Sequence, residues 1–405
     1  MNLLFLHPNF PGQYLHLARY FARTGRDHVM FLTKETNKNR LWNVDVGVYK
    51  AAREATKGVH PYVRQLEEAA LEGQAVARGV ISLKKQLNFT PDVVIGHAGW
   101  GSTLYVKDLL PKTPLIGYFE WYYHAYGSDV GFWPEEEVSE NARMRIRTQN
   151  ATSLLALDSA DVRYTPTEWQ KRQFPREFQA EMRVLHEGVD TEFYHPEQNT
   201  RLVIPGLDLS DAPEIVTYVS RGLEPYRGFP QFMETVRILL ARRPKCHVVV
   251  VGADRSCYSP PPSNGKTWKQ IEEERGGYDA SRLHFTGRLN WEHYRRVLQA
   301  STVHVYLTRP FVLSWSMLES MAAGCCLVAS ATPPVQEVIN DGENGLLVDF
   351  RSPAQIADRI EEALDNENLR RRLSAAAVET VQTRYNVKQC LARQVDMIME
   401  AVGAK

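Results

Sequence analysis

The chain has 405 residues, 48 basic against 48 acidic side chains and an apolar share of 43%, enough for two domains with a core each. Charge is balanced within residues 1–195 as well, which excludes a basic nucleic-acid-binding module. No run approaches the roughly 20 apolar residues of a membrane span.

In chain order, Leu3 to Leu6 reads as a short buried strand, the loop HPNFPGQ follows, and Tyr14 to Thr24 has helical spacing with Leu17, Tyr20 and Phe21 on one face. His28 to Leu32 is the next strand. This β-loop-α-β start suits a doubly wound sheet, but it lacks the GxGxxG dinucleotide fingerprint. Gly12 either admits a ligand close to the backbone or is a turn glycine. The arginines and lysines at 19, 23, 26, 34, 38 and 40 form a solvated face or, in the sharper reading, a peripheral membrane contact.

Residues 60–87 show an amphipathic helical repeat. The runs 91–97 and 115–120 are strands that end in His97 and Glu120. In open α/β sheets ligands bind at the carboxyl ends of strands, so both are site candidates, with a plain surface or capping role as the alternative. Residues 118–133 carry eight aromatic side chains, a pattern that fits either carbohydrate stacking or an ordinary core. Polar helices follow, then a short strand at 161–166. The mixed, proline-bearing segment 192–213 is placed as the hinge between two domains.

The pattern then restarts. A strand at 214–220 leads into the loop RGLEPYRGF, where Arg221 and Arg227 could clamp a diphosphate through paired N–H donors or stand as solvated loop residues. A helix spans 232–242 and a strand 247–251, which ends in a turn at Gly252. Residues 256–277 read as a surface excursion. Further elements are a strand and turn at 284–289, a helix at 291–300 and a strand at 303–307. Residues 353–385 are helical and polar, and 387–402 is a last amphipathic helix.

Between them, residues 308–350 read as loop, short helix, buried strand and turns. Ser314–Ser316 sit where the loop becomes a helix that stops at Gly324. A helix N-terminus exposes unpaired N–H groups and a partial positive charge, a natural phosphate seat. Ser316 and Glu319 also fit a capping box, which would make Glu319 only a cap. There is no GxxxxGK[ST], GxSxG or HExxH motif, nor a DxD pair to hold a metal and a diphosphate. The five cysteines, none before Cys246, have no zinc-ligand spacing, and their odd number suits a reducing, cytoplasmic setting.

Taken together these motifs resemble the retaining GT-B glycosyltransferases of the family 4, group 1 type, along nearly the whole chain and most strongly in 216–350. LHEGVDTEFYHP is similar to that family's interdomain signature, with Glu187 where Asn is usual. Residues 220–228 are similar to its phosphate loop, with Arg227 in place of Lys. SWSMLESMAAG and TPPVQEVINDGENGLLV are similar to its two C-terminal motifs. The resemblance implies an α/β, GT-B fold: two Rossmann-like domains, 1–195 for the acceptor and 196–386 for the donor, facing a central cleft, with 387–405 crossing back to the first.

It further implies a nucleoside-diphosphate-sugar donor, a carbohydrate or lipid-linked acceptor, and no metal or cofactor. Arg221 and Arg227 would bind the donor diphosphate and Glu319 the ribose hydroxyls. Val312, Leu313, Ser314, Trp315 and Ser316 would face the donor sugar or its phosphate, Arg288 and Leu289 the base, and Gly12 the phosphate; Gly252 is counted with the donor site. His97 and Glu120 complete the catalytic set. Two positions depart from the family: Phe311 stands where a Glu is frequent and Glu120 where a His is usual. They motivate the alternatives of a non-catalytic sugar-nucleotide-binding scaffold or a GT-B epimerase. Hexose transfer in the cytoplasm, with the inner membrane face as the site of any peripheral contact, is the leading expectation.

Overall fold

Apolar runs of four to eight residues, separated by amphipathic helices, build two α/β units in the computed structural model, which describes residues 1–403. One unit comprises Met1–Gly188 together with the chain from Val387 onward; the other is Val189–Asn386. The first unit therefore ends before the sequence-based boundary at 195.

In the first unit, β1 (Asn2–Leu6), β2 (His28–Lys34), β3 (Asp45–Tyr49), β4 (Val93–His97), β5 (Leu115–Tyr118), β6 (Val162–Thr165) and β7 (Met182–Val184) form an all-parallel sheet ordered β3-β2-β1-β4-β5-β6-β7. Successive strand residues point to opposite faces, and both faces are covered. Leu3, Phe5, Val29, Phe31, Val93 and Ile95 pack with helix Leu15–Ala22 and with Met397 and Ile398 of helix Val387–Gly403. Leu4, Leu6, Met30, Leu32 and Val94 pack under helix Arg64–Leu87 through Ala75, Val76, Val80 and Leu83. The last helix is also tied to this unit by Arg183 to Glu400 at 2.7 Å and by the Gln394 amide, which donates to the His186 carbonyl at 3.1 Å.

The second unit opens with a short antiparallel hairpin, β8 (Val203–Ile204) and β9 (Leu207–Asp208), inside the segment read from sequence as hinge. Then β10 (Glu214–Gly222), β11 (Cys246–Ala253), β12 (Leu283–Gly287), β13 (Val303–Tyr306), β14 (Leu327–Ser330) and β15 (Leu346–Val348) form a second all-parallel sheet ordered β12-β11-β10-β13-β14-β15. In both sheets the strand order reverses beside the first strand, between β1 and β4 and between β10 and β13. Loops leaving the carboxyl ends of those strands diverge there and open a crevice.

Three element boundaries differ from the sequence reading. The long helical stretch 353–385 is two helices, Pro353–Asp365 and Glu367–Arg384, because the Asn366 side chain turns back to accept a hydrogen bond from Leu369 N at 2.9 Å and caps the second. The surface excursion contains the helix Trp268–Arg275, started by a Thr267–Gln270 capping box. Strand β3, half exposed and interrupted by Gly47, carries too weak an apolar alternation to be seen from sequence.

Candidate functional site

The crevice of the second unit is built by the loops after β10 and β13. Pairing of β10 with β11 slips between Val219 and Gly222, so that one extra residue of β10 is left over. A bulge of this kind re-aims side chains. Arg221 lies in it, exposed, and makes no side-chain hydrogen bond or ion pair among the described residues. Arg227 is its opposite. It is buried, and its guanidinium donates to Thr308 Oγ1 at 2.7 Å, to the Tyr306 hydroxyl at 3.3 Å and to the Val312 carbonyl at 3.0 Å. It also lies 5.4 Å from the centre of the Tyr258 ring. Arg309 N donates to the Tyr226 carbonyl at 3.0 Å and adds a second tie between the loops.

The fully buried Glu224 fixes a third loop to the same place. One of its carboxylate oxygens accepts from the backbone N–H groups of Cys257, Tyr258 and Ser259 at 3.0, 2.8 and 2.7 Å. Phe311, at the position of the frequent family Glu, is buried edge-on against Tyr226 and Tyr258, with ring centres 5.4 and 5.2 Å apart.

The loop 307–314 delivers helix Trp315–Ala322. Its N-cap is Ser314, whose hydroxyl accepts from Ser316 N at 3.4 Å and pairs with Ser316 Oγ at 2.9 Å. Ser314 N in turn donates to the Tyr306 hydroxyl at 2.9 Å. The capping box centred on Ser316 is therefore wrong: the helix begins one residue before Ser316, and Glu319 sits in its second turn, beyond reach of the cap. Glu319 is half-buried and accepts from the Tyr294 hydroxyl at 2.8 Å. Burial pushes its carboxyl up to about 7, against the opposing pull of hydrogen bonds from Tyr294 and Tyr194.

In the first unit, the carboxyl ends of β1, β4 and β5 bring His7, His97 and Glu120 together. Glu120 accepts from Gln13 Nε2 at 3.1 Å on one oxygen, and its other oxygen is 3.5 Å from His97 Nε2. The His97 ring is buried and lies against the partly exposed Trp100, centre to centre 4.2 Å, while Glu120 keeps 28% of its side-chain surface open.

Of the residues singled out from sequence, Arg227, Val312 and Ser314 are joined directly or through Tyr306. Leu313 packs in the apolar cluster that holds Tyr294, Met317 and Leu318, with Leu289 against its edge. Trp315 and Arg288 are exposed. The space a side chain would need at Gly252 is taken by the Ser220 carbonyl, 2.5 Å from an ideal Cβ, so this glycine serves close strand-to-loop packing. Gly12, His97 and Glu120 belong to the first unit, and at Gly12 (φ +53°) the missing Cβ makes room for the His7 ring.

Sequence reasoning missed His7, Gln13, Glu224, Tyr194 and Tyr294. The signal for the first two was their place just past β1; for the others no local pattern distinguishes them. Among the described residues, no group of three or more His, Cys, Asp or Glu side chains is placed to hold a metal ion, and no helix is long and apolar enough to cross a membrane.

Comparison with known proteins adds a family and a fold. Residues 25–194 match the family model described as glycosyl transferase family 4 group, and residues 203–380 that of the glycosyl transferases group 1. A D-inositol 3-phosphate glycosyltransferase of Corynebacterium diphtheriae is 25% identical over 378 residues, which cover 90% of this chain and 83% of that protein. An uncharacterised glycosyltransferase of Methanocaldococcus jannaschii is 29% identical over 126 residues; that match spans only 31% of this chain and 32% of the relative. The Anabaena HepE structure solved with UDP superposes with a TM-score of 0.70 at 15% identity, covering 99% of this chain and all of the other. At that identity the likeness is one of fold, the GT-B arrangement of two Rossmann-like units.

Two outcomes are expected from this geometry. Replacing Arg227 by Met leaves Thr308 and the Val312 carbonyl without their buried partner and should cost about 2–4 kcal/mol in denaturant unfolding. For Glu319, the folded carboxyl titrates above its unfolded value of 4.5. Its stabilising share is thus complete below about pH 4.5 and is lost as pH rises toward 7. The wild type should lose roughly 1–3 kcal/mol over that window relative to Glu319→Gln, measured as the difference in pH slope of thermal unfolding.

Proposed function

The chain belongs to the family 4, group 1 glycosyltransferases, and from that premise we propose that it moves a hexose from a nucleoside-diphosphate sugar to a hydroxyl of a glycan, lipid-linked sugar or small molecule, with retention of configuration and without a metal. The observation that carries the reading is Arg221: an exposed guanidinium without a protein partner among the described residues, set on a bulge at the strand-order reversal of the second unit.

In this reading the negative charge that grows on the departing diphosphate is met by Arg221, by the field of Arg227 and by the N-terminus of helix Trp315–Ala322. Such preorganised donors act where charge develops and need no reorganisation during the reaction. Glu319, aimed by Tyr294, takes the ribose hydroxyls, and the turn carrying Arg288 and Leu289 takes the base. Glu120 and His97 of the first unit take a hydroxyl of the acceptor. The likeness to a structure solved with UDP supports a nucleotide-sugar donor, and the relatives named as D-inositol 3-phosphate glycosyltransferases support a hydroxyl acceptor. Sugar-nucleotide isomerisation without an acceptor would favour the epimerase reading instead.

The test begins with thermal unfolding in the presence of UDP, GDP, ADP and dTDP. One of them should raise the midpoint, since a ligand that binds only the native state stabilises it by about 2.7 kcal/mol at a hundredfold excess over Kd. With the matching sugar nucleotide, Arg221→Ala should lower turnover by about a hundredfold or more while leaving thermal stability unchanged. Near-normal turnover of that variant, or no nucleotide response at all, would remove the donor site.

A further inference from the structure

Resting on the transferase reading above, we propose that Gln13, held by His7, is a positioning residue that aims the Glu120 carboxylate at a substrate hydroxyl. Four hydrogen bonds in the first unit have directions that fix the arrangement. Asn9 N–H donates to His7 Nδ1 at 2.8 Å, so that nitrogen carries no proton. The single proton of a neutral imidazole is then on Nε2, which lies 2.7 Å from Gln13 Oε1. This donation fixes which end of the Gln13 amide is which, and its nitrogen must face Glu120, to which it donates at 3.1 Å.

On the other side, Gly99 N–H donates to His97 Nδ1 at 3.1 Å. His97 Nε2 is thereby the protonated nitrogen, and it faces the second Glu120 oxygen at 3.5 Å. His7 donates to Gln13, whose amide donates to the carboxylate, and His97 Nε2 faces the same carboxylate without a hydrogen bond. His97 in this tautomer presents no lone pair to a substrate, so the accepting group of this crevice is Glu120.

The environment keeps His7 neutral. The His7 ring is buried edge-on against His97, ring centres 5.0 Å apart. Burial first, and the neighbouring His97 second, push its titration down to about 3. A neutral His7 cannot reverse its hydrogen bond near neutral pH. Gly12 is part of the device, because a Cβ there would sit 2.5 Å from His7 Nε2 and drive the ring off Gln13.

A carboxylate that receives one hydrogen bond, from Gln13 on one oxygen, keeps its remaining lone pairs for another partner. Glu120, like Gln13, is only partly covered and reaches solvent. A sugar hydroxyl is the matching donor, and its alignment by a fixed acceptor is worth most when the acceptor cannot swing. The contact is noncovalent, and no bond is made or broken at Gln13 or His7.

The test is a double-mutant cycle between Gln13→Met, which keeps volume but removes both hydrogen bonds, and Glu120→Ala. In the wild-type background Q13M should lower kcat/KM by about tenfold to a hundredfold. In the E120A background it should change kcat/KM little, because a positioning residue has nothing left to position. Separate KM values show whether the hydroxyl belongs to donor or acceptor. Losses that multiply, or a Q13M enzyme with wild-type kinetics, overturn the proposal. Independently of activity, the 15N spectrum of the histidine rings should show His7 protonated on Nε2 in the wild type, with that proton's hydrogen-bonded shift lost in Q13M. A proton on Nδ1 overturns the proposal. Absence of transfer with every sugar nucleotide would sink the transferase reading, and the ring-nitrogen measurement still decides the chain of hydrogen bonds.

Discussion

A guanidinium buried in a protein is costly unless its N–H groups are satisfied, and that cost organises the second unit around Arg227. The loops after β10 and β13 leave neighbouring strands in different directions, since the strand order reverses between them. Arg227 joins them by donating to Thr308 and to the Val312 carbonyl. The same pin sets where helix Trp315–Ala322 begins, because the Tyr306 hydroxyl that meets Arg227 also accepts from Ser314 N. Glu224 anchors the loop carrying Tyr258 beside them. Arg221, displaced by the bulge and spared from this scaffolding, is left for solvent or for an anion.

The first unit solves the same topological problem with different chemistry. Its reversal lies between β1 and β4, and the side chains that meet there are two imidazoles, an amide and a carboxylate. Guanidinium groups at one reversal suit phosphate, whose oxygens match paired N–H donors. A carboxylate held by the Gln13 amide at the other suits hydroxyl groups, which can donate to it. The two strand-order reversals thus differ in which groups are charged at each strand end.

Much of this was legible in the sequence where the physics is local. The apolar runs Leu3–Leu6 and His247–Val251 can only be buried strands, and Gly324 past a short helix is a stop that any side chain would strain. The loop arginines and Glu319 were singled out as candidates. What escaped was the partner of each. Ser316 and Glu319 fit a capping box on paper, but the Tyr306 hydroxyl, from a strand end, draws Ser314 into the cap and moves Glu319 out of it. Arg221 and Arg227 look alike in the string, and only the bulge and the neighbouring loop separate an exposed cation from a buried pin. Gln13 was invisible as a functional residue because its meaning depends on Glu120, more than a hundred positions away.

Phe311 bears on the electrostatics of the same loops. Phe311 holds its loop by edge contacts with Tyr226 and Tyr258. The hydrogen-bond partners of Arg227 are two hydroxyls and a carbonyl, all uncharged. A carboxylate placed at this point of the loop would offset part of that positive field. The guanidinium is fixed in place by neutral hydrogen-bond partners, while the buried Glu224 carboxylate acts on its charge from nearby. The exposed Arg221 is then the guanidinium of this crevice whose charge is open to an anion.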